Sequence, residues 1–297
     1  MTHTTVLLHE AIDGLNLKQG SVYFDGTLGA GGHASEVARR FGGSVRIVGV
    51  DRDLNALEYA TKRVQALGVE THFMLGNFRN VDSALVRVGV TNADAILMDL
   101  GWNSSQIEES GRGFSFKEDE ALLMTFSTSG DEGGVNAQVI VNEWSEETLA
   151  DIFYGYADER YARRIAKAIV TSREKKPIKT TYELVEIIRN AVPKPYTWGK
   201  IHFATRTFQA LRIAVNDEIE ALKEGLEKSY ATLNTQGRIV IISFHSVEDR
   251  VVKQMFKQWM TEGKGIVITK KPLVPSKDEI KINPRSRSAK LRIFQKI

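Results

Sequence analysis

The chain has 297 residues, and its 42% hydrophobic and 26% charged content is ordinary for a folded globular protein, which argues against a disordered chain. Its 40 Lys and Arg against 37 Asp and Glu give a net charge of +3, which permits a nucleic-acid partner without requiring one. The absence of cysteine excludes disulfides, thiolate metal sites and cysteine nucleophiles.

The longest apolar runs, such as Ile239 to Ile242, are too short to cross a bilayer. The first residues, Met1 to Thr4, lack the basic and apolar segments of a signal peptide, so we expect a cytoplasmic protein with no membrane partner. The sequence is compatible with a homodimer and does not require one.

The first predicted elements are a buried strand, a glycine-rich turn and a helix. Val22 to Phe24 end the strand, and the run from Asp25 to His33 follows. Apolar residues then recur at helical spacing, at Ala34, Val37, Ala38 and Phe41. A helix start presents unpaired N–H groups and the positive end of its dipole, and α/β proteins bind nucleotide-like cofactors there.

Strands and helices continue to alternate after this turn. The next strands are Val45 to Val50, ending in Asp51, then Thr71 to Leu75, and then Ala95 to Met98, ending in Asp99. The helices between them carry apolar faces, marked by Leu57, Ala60, Val64 and Leu67 and then by Ala84, Leu85 and Val88. This alternation predicts repeated βαβ units and a mostly parallel sheet.

The fifth strand, Arg238 to Phe244, is too far along the chain for a simple crossover from the fourth. The interval has helical patterning, so we predict an inserted helical domain over residues 106–202, with residues 1–105 and 203–297 forming the other, discontinuous domain. The apolar positions from Phe208 to Leu226 predict one long crossover helix. Gly265 to Leu273 and Ser288 to Ile297 then predict two closing strands, the last of them antiparallel.

Two cofactors fit the glycine-rich turn. The run from Gly29 to Ala34 matches the G-x-G-x-x-A form of the dinucleotide fingerprint, and Asp51 stands about where a ribose-binding acid is expected, so a nicotinamide-dependent dehydrogenase is one interpretation. Asp25 argues against it, because a carboxylate at the tip of the first strand would repel a pyrophosphate.

S-adenosylmethionine is the second interpretation. It has no phosphate and carries an ammonium and a sulfonium, which suit the acidic residues Asp25, Asp51 and Asp99 at three strand ends. Asp51 would accept hydrogen bonds from the ribose hydroxyls, and Phe78 would pack on the adenine. The alternative is that each Asp only caps the helix that follows it.

The segment after Asp99 contains the candidate catalytic groups. In a methyl transfer the protein mainly positions the nucleophile in line with the sulfonium. Oxygens of Asp99 and Asn103 would hold an exocyclic base amine and stabilise its developing positive charge. Trp102 would stack on a flipped base, or else anchor the insertion on the sheet. Without cysteine, methylation at carbon 5 of cytosine is excluded, and an N- or O-methyl acceptor remains.

Cations and aromatics in the insertion favour an RNA partner. Gly111 to Phe116 combines Arg112 with two aromatics, and Lys194 to Lys200, followed by His202 and Arg206, interleaves both kinds of residue. Four cations at helical spacing form a basic stripe, Arg160, Arg163, Arg164 and Lys167. This stripe is either a solvated helix face or part of an RNA-binding surface. The scattered histidines predict no metal site.

Together these segments resemble the MraW/RsmH family over essentially the whole chain. The segments that carry the resemblance are Asp25 to His33, Arg112 to Phe116, Ala204 to Arg212, Ile242 to Ser246 and Asn283 to Ser288. The resemblance implies a class I S-adenosylmethionine-dependent methyltransferase, Rossmann-like, with a mostly parallel seven-stranded sheet, an antiparallel last strand and an inserted helical domain. It also implies methylation of N4 of a cytidine in the decoding centre of 16S (small-subunit) rRNA, within the small ribosomal subunit.

The resemblance extends to particular residues. Together with the turn analysis, it assigns the cofactor to Asp25, Gly29, Gly31, Gly32, His33, Asp51, Phe78, Asp99 and Gln106. Catalysis is assigned to Asp99 and Asn103. RNA contacts are assigned to Trp102, Arg112, Arg206, His245, Arg285 and Arg287.

Two segments depart from the family pattern. Trp102, Asn103 and Ser105 replace the Val, the first Ser and the Pro of Leu-Gly-Val-Ser-Ser-Pro-Gln. Leu123 to Ser127 stands where the family usually has Asp-Met-Arg-Met-Asp, so two acids and an arginine are absent. An alternative function is therefore a relative that binds S-adenosylmethionine and rRNA with altered or no catalysis.

Overall fold

The structure is a computed structural model, and it describes residues 4–100, 110–126 and 134–297. The strands within these residues are β1 Val22–Asp25, β2 Arg46–Asp51, β3 Thr71–Leu75, β4 Ala93–Asp99, β5 Leu233–Ser243, β6 Gly265–Val267 and β7 Lys290–Lys296. The helices are α1 Leu8–Leu15, α2 Gly32–Phe41, α3 Leu54–Gln65, α4 Val81–Arg87, α5 Ala137–Glu143, α6 Glu146–Ala157, α7 Ala162–Arg173, α8 Thr181–Ala191, α9 Lys194–Thr197, α10 Thr205–Asn216, α11 Glu218–Ala231, α12 Ser246–Thr261 and α13 Lys277–Ile282. None of the helices in this described part of the chain is long and apolar enough to span a membrane.

The chain divides into two compact units. The sheet unit comprises Met1–Gly101 and Ile219–Ile297, and the helical unit comprises Trp102–Glu218. We predicted a methyltransferase domain over residues 1–105 and 203–297 and a substrate-recognition domain over residues 106–202, and this assignment of function to the two domains stays a prediction. The observed division differs from them mainly at α10, because this helix buries Phe208 and Leu211 in the core of the helical unit.

The sheet unit contains one seven-stranded sheet in the order β3-β2-β1-β4-β5-β7-β6. Strands β1 to β5 are parallel, and β7 runs antiparallel between β5 and β6. This is the mostly parallel sheet with an antiparallel last strand predicted for a class I methyltransferase, so the predicted fold class is confirmed. The strand order reverses beside β1, and ligands of open α/β sheets bind at such a point.

Apolar cores cover both faces of the sheet. Tyr23 packs into the core that contains α1, α2 and α3, while its neighbour Phe24 packs into the core that contains α4, α11 and α12. Side chains of a strand alternate between faces, so a strand buried on both sides is apolar at consecutive positions. This explains why the short predicted strands lacked a polar and apolar alternation.

Two predicted elements are wrong in extent. The helix expected from Phe208 to Leu226 is broken at Asp217, whose φ of 51° is left-handed, a conformation that Asp tolerates better than most residues. The strand expected from Gly265 to Leu273 ends at Val267. Beyond it the Thr269 hydroxyl, instead of a strand carbonyl, accepts the Ile293 N–H at 2.9 Å.

Residues near the two extremes of the sequence meet in the sheet unit. The Leu7 N–H donates to Glu279 Oε1 at 2.8 Å, and Asn283 Nδ2 donates to the Thr4 carbonyl at 3.2 Å. His33 Nε2, at the start of α2, lies 3.3 Å from the Val6 carbonyl. The segment 4–7 is therefore held between α13 and the glycine-rich turn.

A partly shielded ion cluster joins α12 to β7. Asp249, in the first turn of α12, accepts from Arg292 Nε at 2.6 Å and from Lys290 Nζ at 3.0 Å. Burial acts to raise the Asp249 pKa, but the hydrogen bonds from Arg292 and Lys290 outweigh it and hold that pKa below its usual value. The Arg292 side chain is buried, so its charge depends on this partner.

We expect Asp249→Ala to lower the free energy of unfolding by about 3–5 kcal/mol, because it leaves the buried Arg292 guanidinium without its carboxylate. Urea denaturation at pH 7 measures this. The matched variant Asp278→Ala breaks an exposed pair with Lys281 and should cost at most about 1 kcal/mol. Since the folded-state pKa of Asp249 is lowered, its contribution is present above about pH 4 and is lost on acidification below that. Equal losses in the two variants would contradict the role of the cluster.

Candidate functional site

The glycine-rich turn leaves β1 at Asp25 and enters α2 at Gly32. Gly29 and Gly31 have φ values of 51° and 70°, which favour glycine. A Cβ on Gly31 would also lie 3.0 Å from the Cβ of Ala60 on α3, and one on Gly32 would collide with Thr5 Oγ1. The path of the turn and its close packing therefore both require glycine.

Neighbouring strands hold the turn in place. The N–H groups of Gly26 and Leu28 donate to main-chain carbonyls of β4 and β2, at 2.8 and 3.0 Å. The Gly29 N–H donates to Asp51 Oδ2 at 2.7 Å, and the Asp53 N–H donates to Asp51 Oδ1 at 2.9 Å. The turn is thus connected to the ends of the two strands that flank β1.

Asp25 is buried beneath the turn. Its Oδ2 accepts from the Tyr23 hydroxyl at 2.9 Å, and its Oδ1 accepts from the Thr27 N–H at 3.2 Å. Burial is the largest cause that raises its pKa, to about 6, and the nearby Asp51 charge adds to the rise, against the two hydrogen bonds. A carboxylate with this pKa gains from any cation brought next to it.

Asp51 is half-buried at the end of β2. Burial raises its pKa, and the N–H groups of Asp53 and Gly29 oppose the rise. The helix cap proposed as its alternative role belongs to Asp53, which accepts from the N–H groups of Asn55 and Ala56 at the start of α3. Likewise α2 begins after Gly31, without a side-chain cap from Asp25. Neither acid is explained as the cap of the helix that follows it.

Asp99 lies at the end of β4, beside the same turn. Its N–H donates to the Thr27 hydroxyl at 2.6 Å, and its Oδ2 lies 4.0 Å from Nδ1 of the buried His33. The ends of β1 and β4 and the first turn of α2 are thereby joined. Carboxylates of Asp25, Asp51 and Asp99 therefore stand at adjacent strand ends, as the sequence predicted for the parallel sheet.

Phe78 stands on a 3-10 turn, Phe78–Asn80, directly after β3. The Asn77 side chain caps this turn by accepting the Arg79 N–H at 3.1 Å. The half-buried ring packs on Gly225 of α11, where a Cβ would lie 2.7 Å from Phe78 Cδ2, and the Cβ of Phe78 packs on Gly26. The side chain is thus held next to the first glycine of the turn.

The remaining predicted residues have different placements. Trp102, Asn103 and Gln106 lie outside the described residues. His245 is the N-cap of α12: its Nδ1 accepts the Glu248 N–H at 3.3 Å, and Glu248 Oε2 accepts the His245 N–H in return. Exposed Arg285 and Arg287 stand on the 3-10 turn Pro284–Ser288. An RNA contact for these three stays a prediction, and His245 has a capping role that the sequence analysis missed.

In the helical unit, Arg112 binds its own segment of the chain. Its Nη1 donates to the carbonyls of Thr125 and Phe126, at 2.7 and 3.2 Å. Asn216 of α10 holds the same segment, accepting from the Phe126 N–H and donating to the Met124 carbonyl. Leu122 and Met124 are buried in the core of this unit. The segment that departs from the family pattern is therefore used for packing, at least as far as Phe126.

A pocket of about 300 Å³ opens on the helical unit. Its lining comprises Arg160, Pro195, Tyr196, Gly199, Lys200, Ile201, His202 and Arg206. Arg206 also donates to the Asp158 carbonyl at 3.1 Å. The sequence predicted the cations and aromatics of this region but missed Glu159, a fully buried carboxylate behind the pocket wall. The one available signal was an acid placed directly before the basic stripe.

Comparisons with known proteins agree over the full length. The sequence profile of the MraW methylase family matches residues 1–297. The chain is similar to relatives from Carboxydothermus hydrogenoformans (45% identity, 100% of this chain and 98% of the relative) and Finegoldia magna (41%, 99% and 98%), both named Ribosomal RNA small subunit methyltransferase H. Among solved structures, it is similar to an rRNA methylase from Streptococcus thermophilus, with a TM-score of 0.47 and 14% identity, covering 100% of this chain and 99% of that one.

We expect Gly31→Ala to lower the free energy of unfolding by about 2–3 kcal/mol, of which the left-handed φ accounts for about 1–2 kcal/mol and the contact with Ala60 for the rest. Urea denaturation measures the loss. Gly20→Ala is the matched control, because Gly20 has a φ of 84° and a Cβ there would meet no atom within 4 Å. If both variants lose the same free energy, the packing of the turn on α3 has no energetic role.

Proposed function

The chain belongs to the MraW methylase family, and we propose that it transfers a methyl group from S-adenosylmethionine to N4 of a cytidine in the decoding centre of 16S rRNA. The observation that carries the cofactor assignment is the pair of shielded acids, Asp25 and Asp51, connected to one glycine-rich turn. The acceptor assignment is supported by the names of the relatives and by the family resemblance.

The cofactor is S-adenosylmethionine, and the residues present fit it. Burial and the negative charge of Asp51 already raise the Asp25 pKa, so a pyrophosphate brought to this turn would add repulsion. A ligand with an ammonium and a sulfonium relieves it. Membership of a methylase family also leaves the dehydrogenase interpretation without support.

Particular residues are assigned to parts of this cofactor. The Asp51 carboxylate accepts the main-chain N–H groups of Gly29 and Asp53, and because a carboxylate has about four acceptor sites, it can also accept from a ribose hydroxyl. Phe78, which follows β3, is assigned to pack its ring on the adenine. Gly29, Gly31, Gly32 and His33 line the approach, and Gln106 completes the proposed set.

Asp99 and Asn103 are the proposed catalytic residues. Bound S-adenosylmethionine supplies an electrophilic methyl group. The N4 lone pair of cytosine is delocalised into the ring, so the amine needs acceptors that hold it in line and stabilise the positive charge it gains. The Asp99 main chain is bonded to Thr27, and its carboxylate lies beside His33. This carboxylate would accept from the amine and take the proton that N4 loses when the methyl group passes from sulfur to nitrogen and leaves a neutral thioether.

The RNA partner is proposed to be 16S rRNA within the small ribosomal subunit, so the protein is expected to act in the cytoplasm. The alternative is a relative that binds S-adenosylmethionine and rRNA without methylating it, and the replacements at residues 102–105 and 123–127 motivate it. Both functions use the same cofactor turn. Only turnover separates them.

We expect the purified protein, given labelled S-adenosylmethionine and undermethylated small subunits, to form N4-methylcytidine that nucleoside digestion detects. Asp99→Asn should reduce the rate at least about 100-fold, because the amine loses a charged acceptor. Asp82→Asn, an exposed acid on α4, is the control and should retain the rate. Naked 16S rRNA, tested beside the subunit, separates the two forms of the substrate. Cofactor binding without label in any assembly state would contradict methyl transfer and favour the binding-only alternative.

We also expect the affinity for S-adenosylmethionine to rise about tenfold from pH 5 to pH 7 and to level off above about pH 7. The cause is that a cationic ligand favours ionised Asp25, whose pKa in the free protein is about 6. Calorimetry measures the affinity and the protons released. Asp25→Asn should remove the pH dependence, and S-adenosylhomocysteine, which lacks the sulfonium charge, should show a smaller rise. An unchanged pH profile in Asp25→Asn would refute the role of Asp25.

A further inference from the structure

The pocket on the helical unit carries a strong positive charge in a small space. Arg160, Lys200 and Arg206 contribute three cationic side chains to the lining, and the other lining residues that the structure describes include no carboxylate. A guanidinium has five N–H donors, so the bond from Arg206 to the Asp158 carbonyl leaves donors for a ligand. The pocket therefore has the chemistry of an anion site.

Aromatic contacts hold Arg160 in place. Its guanidinium carbon lies 4.9 Å from the ring centroid of Tyr161 and 4.7 Å from that of Tyr196, and the two rings meet edge to face. Cation–π contacts of this kind order a side chain that would otherwise move freely in solvent. An ordered cation loses less entropy when it binds a ligand.

A buried acid in turn holds the Tyr196 ring and the main chain of Tyr161. Glu159 is fully buried, its Oε2 accepts from the Tyr196 hydroxyl at 2.7 Å, and its Oε1 accepts from the Tyr161 N–H at 2.8 Å. Burying a carboxylate is costly unless hydrogen bonds compensate it. Burial and the bond to Glu159 raise the Tyr196 pKa to about 12, so the hydroxyl remains a donor at every working pH. A solvated basic helix face needs no such support.

The part of the pocket wall formed by His202 is also fixed. The His202 ring stacks on Phe116, with centroids 4.4 Å apart and planes 14° apart. Burial and the charge of Arg189 lower the His202 pKa. At neutral pH this wall is therefore an uncharged aromatic surface.

An exposed aromatic stands beside the pocket. Trp198 directly precedes the lining residues Gly199 and Lys200, and 78% of its surface is exposed. An indole on the surface next to ordered cations is the arrangement that binds single-stranded nucleic acid, in which phosphates pair with cations and bases stack on rings.

We propose that this pocket binds a phosphate of a single-stranded segment of the RNA substrate, with a neighbouring base stacked on Trp198. The site lies wholly within the helical unit and takes a nucleotide other than the one that is methylated. The proposal rests on the proposed function for the identity of the RNA, whereas the phosphate site stands on the pocket itself. An acidic peptide is disfavoured, because it offers carboxylates for the cations but no base for the indole.

The test compares two pairs of variants of the full chain. Arg160→Gln/Lys200→Gln removes two pocket cations, and Lys175→Gln/Lys179→Gln removes two exposed cations of the same unit outside the pocket. Trp198→Ala removes the indole, and Tyr154→Ala removes an aromatic that is 68% exposed on α6. Thermal unfolding and calorimetry with S-adenosylmethionine verify that each variant is folded.

The probe is a fluorescein-labelled, 12-nucleotide single-stranded RNA of mixed sequence, followed by polarisation across a salt series. We expect Arg160→Gln/Lys200→Gln to weaken binding at least tenfold and to reduce the slope of log K against log salt by about 1.4, the value for two phosphate contacts on a single strand. Trp198→Ala should weaken binding about fivefold or more. The two control variants should change the affinity less than threefold and leave the slope as it is.

Equal effects of the two double variants would overturn the proposal, since only general charge would then matter. Equal affinity for a duplex of the same sequence, or displacement of the RNA by poly-glutamate at equal charge, would also overturn it. Inorganic phosphate that binds more tightly than the RNA would indicate a free-anion site instead. Methylation of small subunits is measured in parallel. If the protein binds the RNA through the pocket but transfers no methyl group, the result contradicts the proposed function alone. If the protein methylates but its pocket variants bind RNA like their controls, the result contradicts the pocket proposal alone.

Discussion

Shielded negative charge at the ends of parallel strands is the constraint on which the site depends. Asp25 is buried, and among the described residues the Tyr23 hydroxyl and the Thr27 N–H of the turn donate to its carboxylate. The charge of the neighbouring Asp51 repels it and adds to the rise of its pKa. Such a site has unused affinity for a cation of the right shape, which distinguishes it from a phosphate cradle built on the same strand, turn and helix.

The sheet unit concentrates negative charge at its strand ends, whereas the helical unit presents positive charge in its pocket. Its pocket orders Arg160 on two tyrosine rings and then holds one of those rings with a buried glutamate. The two units thus use carboxylates in opposite ways. In the sheet unit the carboxylates are the binding groups, whereas in the helical unit the carboxylate supports the groups that bind.

The strand ends and the turn could be predicted from the sequence because they follow from short-range rules. Parallel strands end at one edge, so Asp25, Asp51 and Asp99 had to lie near one another. Features set by tertiary contacts could not be predicted in this way. Apolar residues keep their helical spacing on both sides of Asp217, because α10 and α11 each bury one face. Only the backbone conformation of Asp217 shows that the helix ends there. The bond from Tyr196 to Glu159 joins residues 37 positions apart, and no local pattern indicates it.

The hydrogen bonds between residues 4–7 and α13, which we call the terminal contact, affect the order in which the cofactor site forms during folding. The Leu7 to Glu279 bond spans 272 positions, the kind of contact whose loop-closure entropy makes it slow to form. Thr5 lies against Gly32, so the glycine-rich turn reaches its final packing only when the terminal contact has formed. A ribosome synthesises α13 after every element of the turn. The growing chain therefore carries an unfinished cofactor site until almost all of it has emerged, which delays tight cofactor binding until the sheet has its last strands.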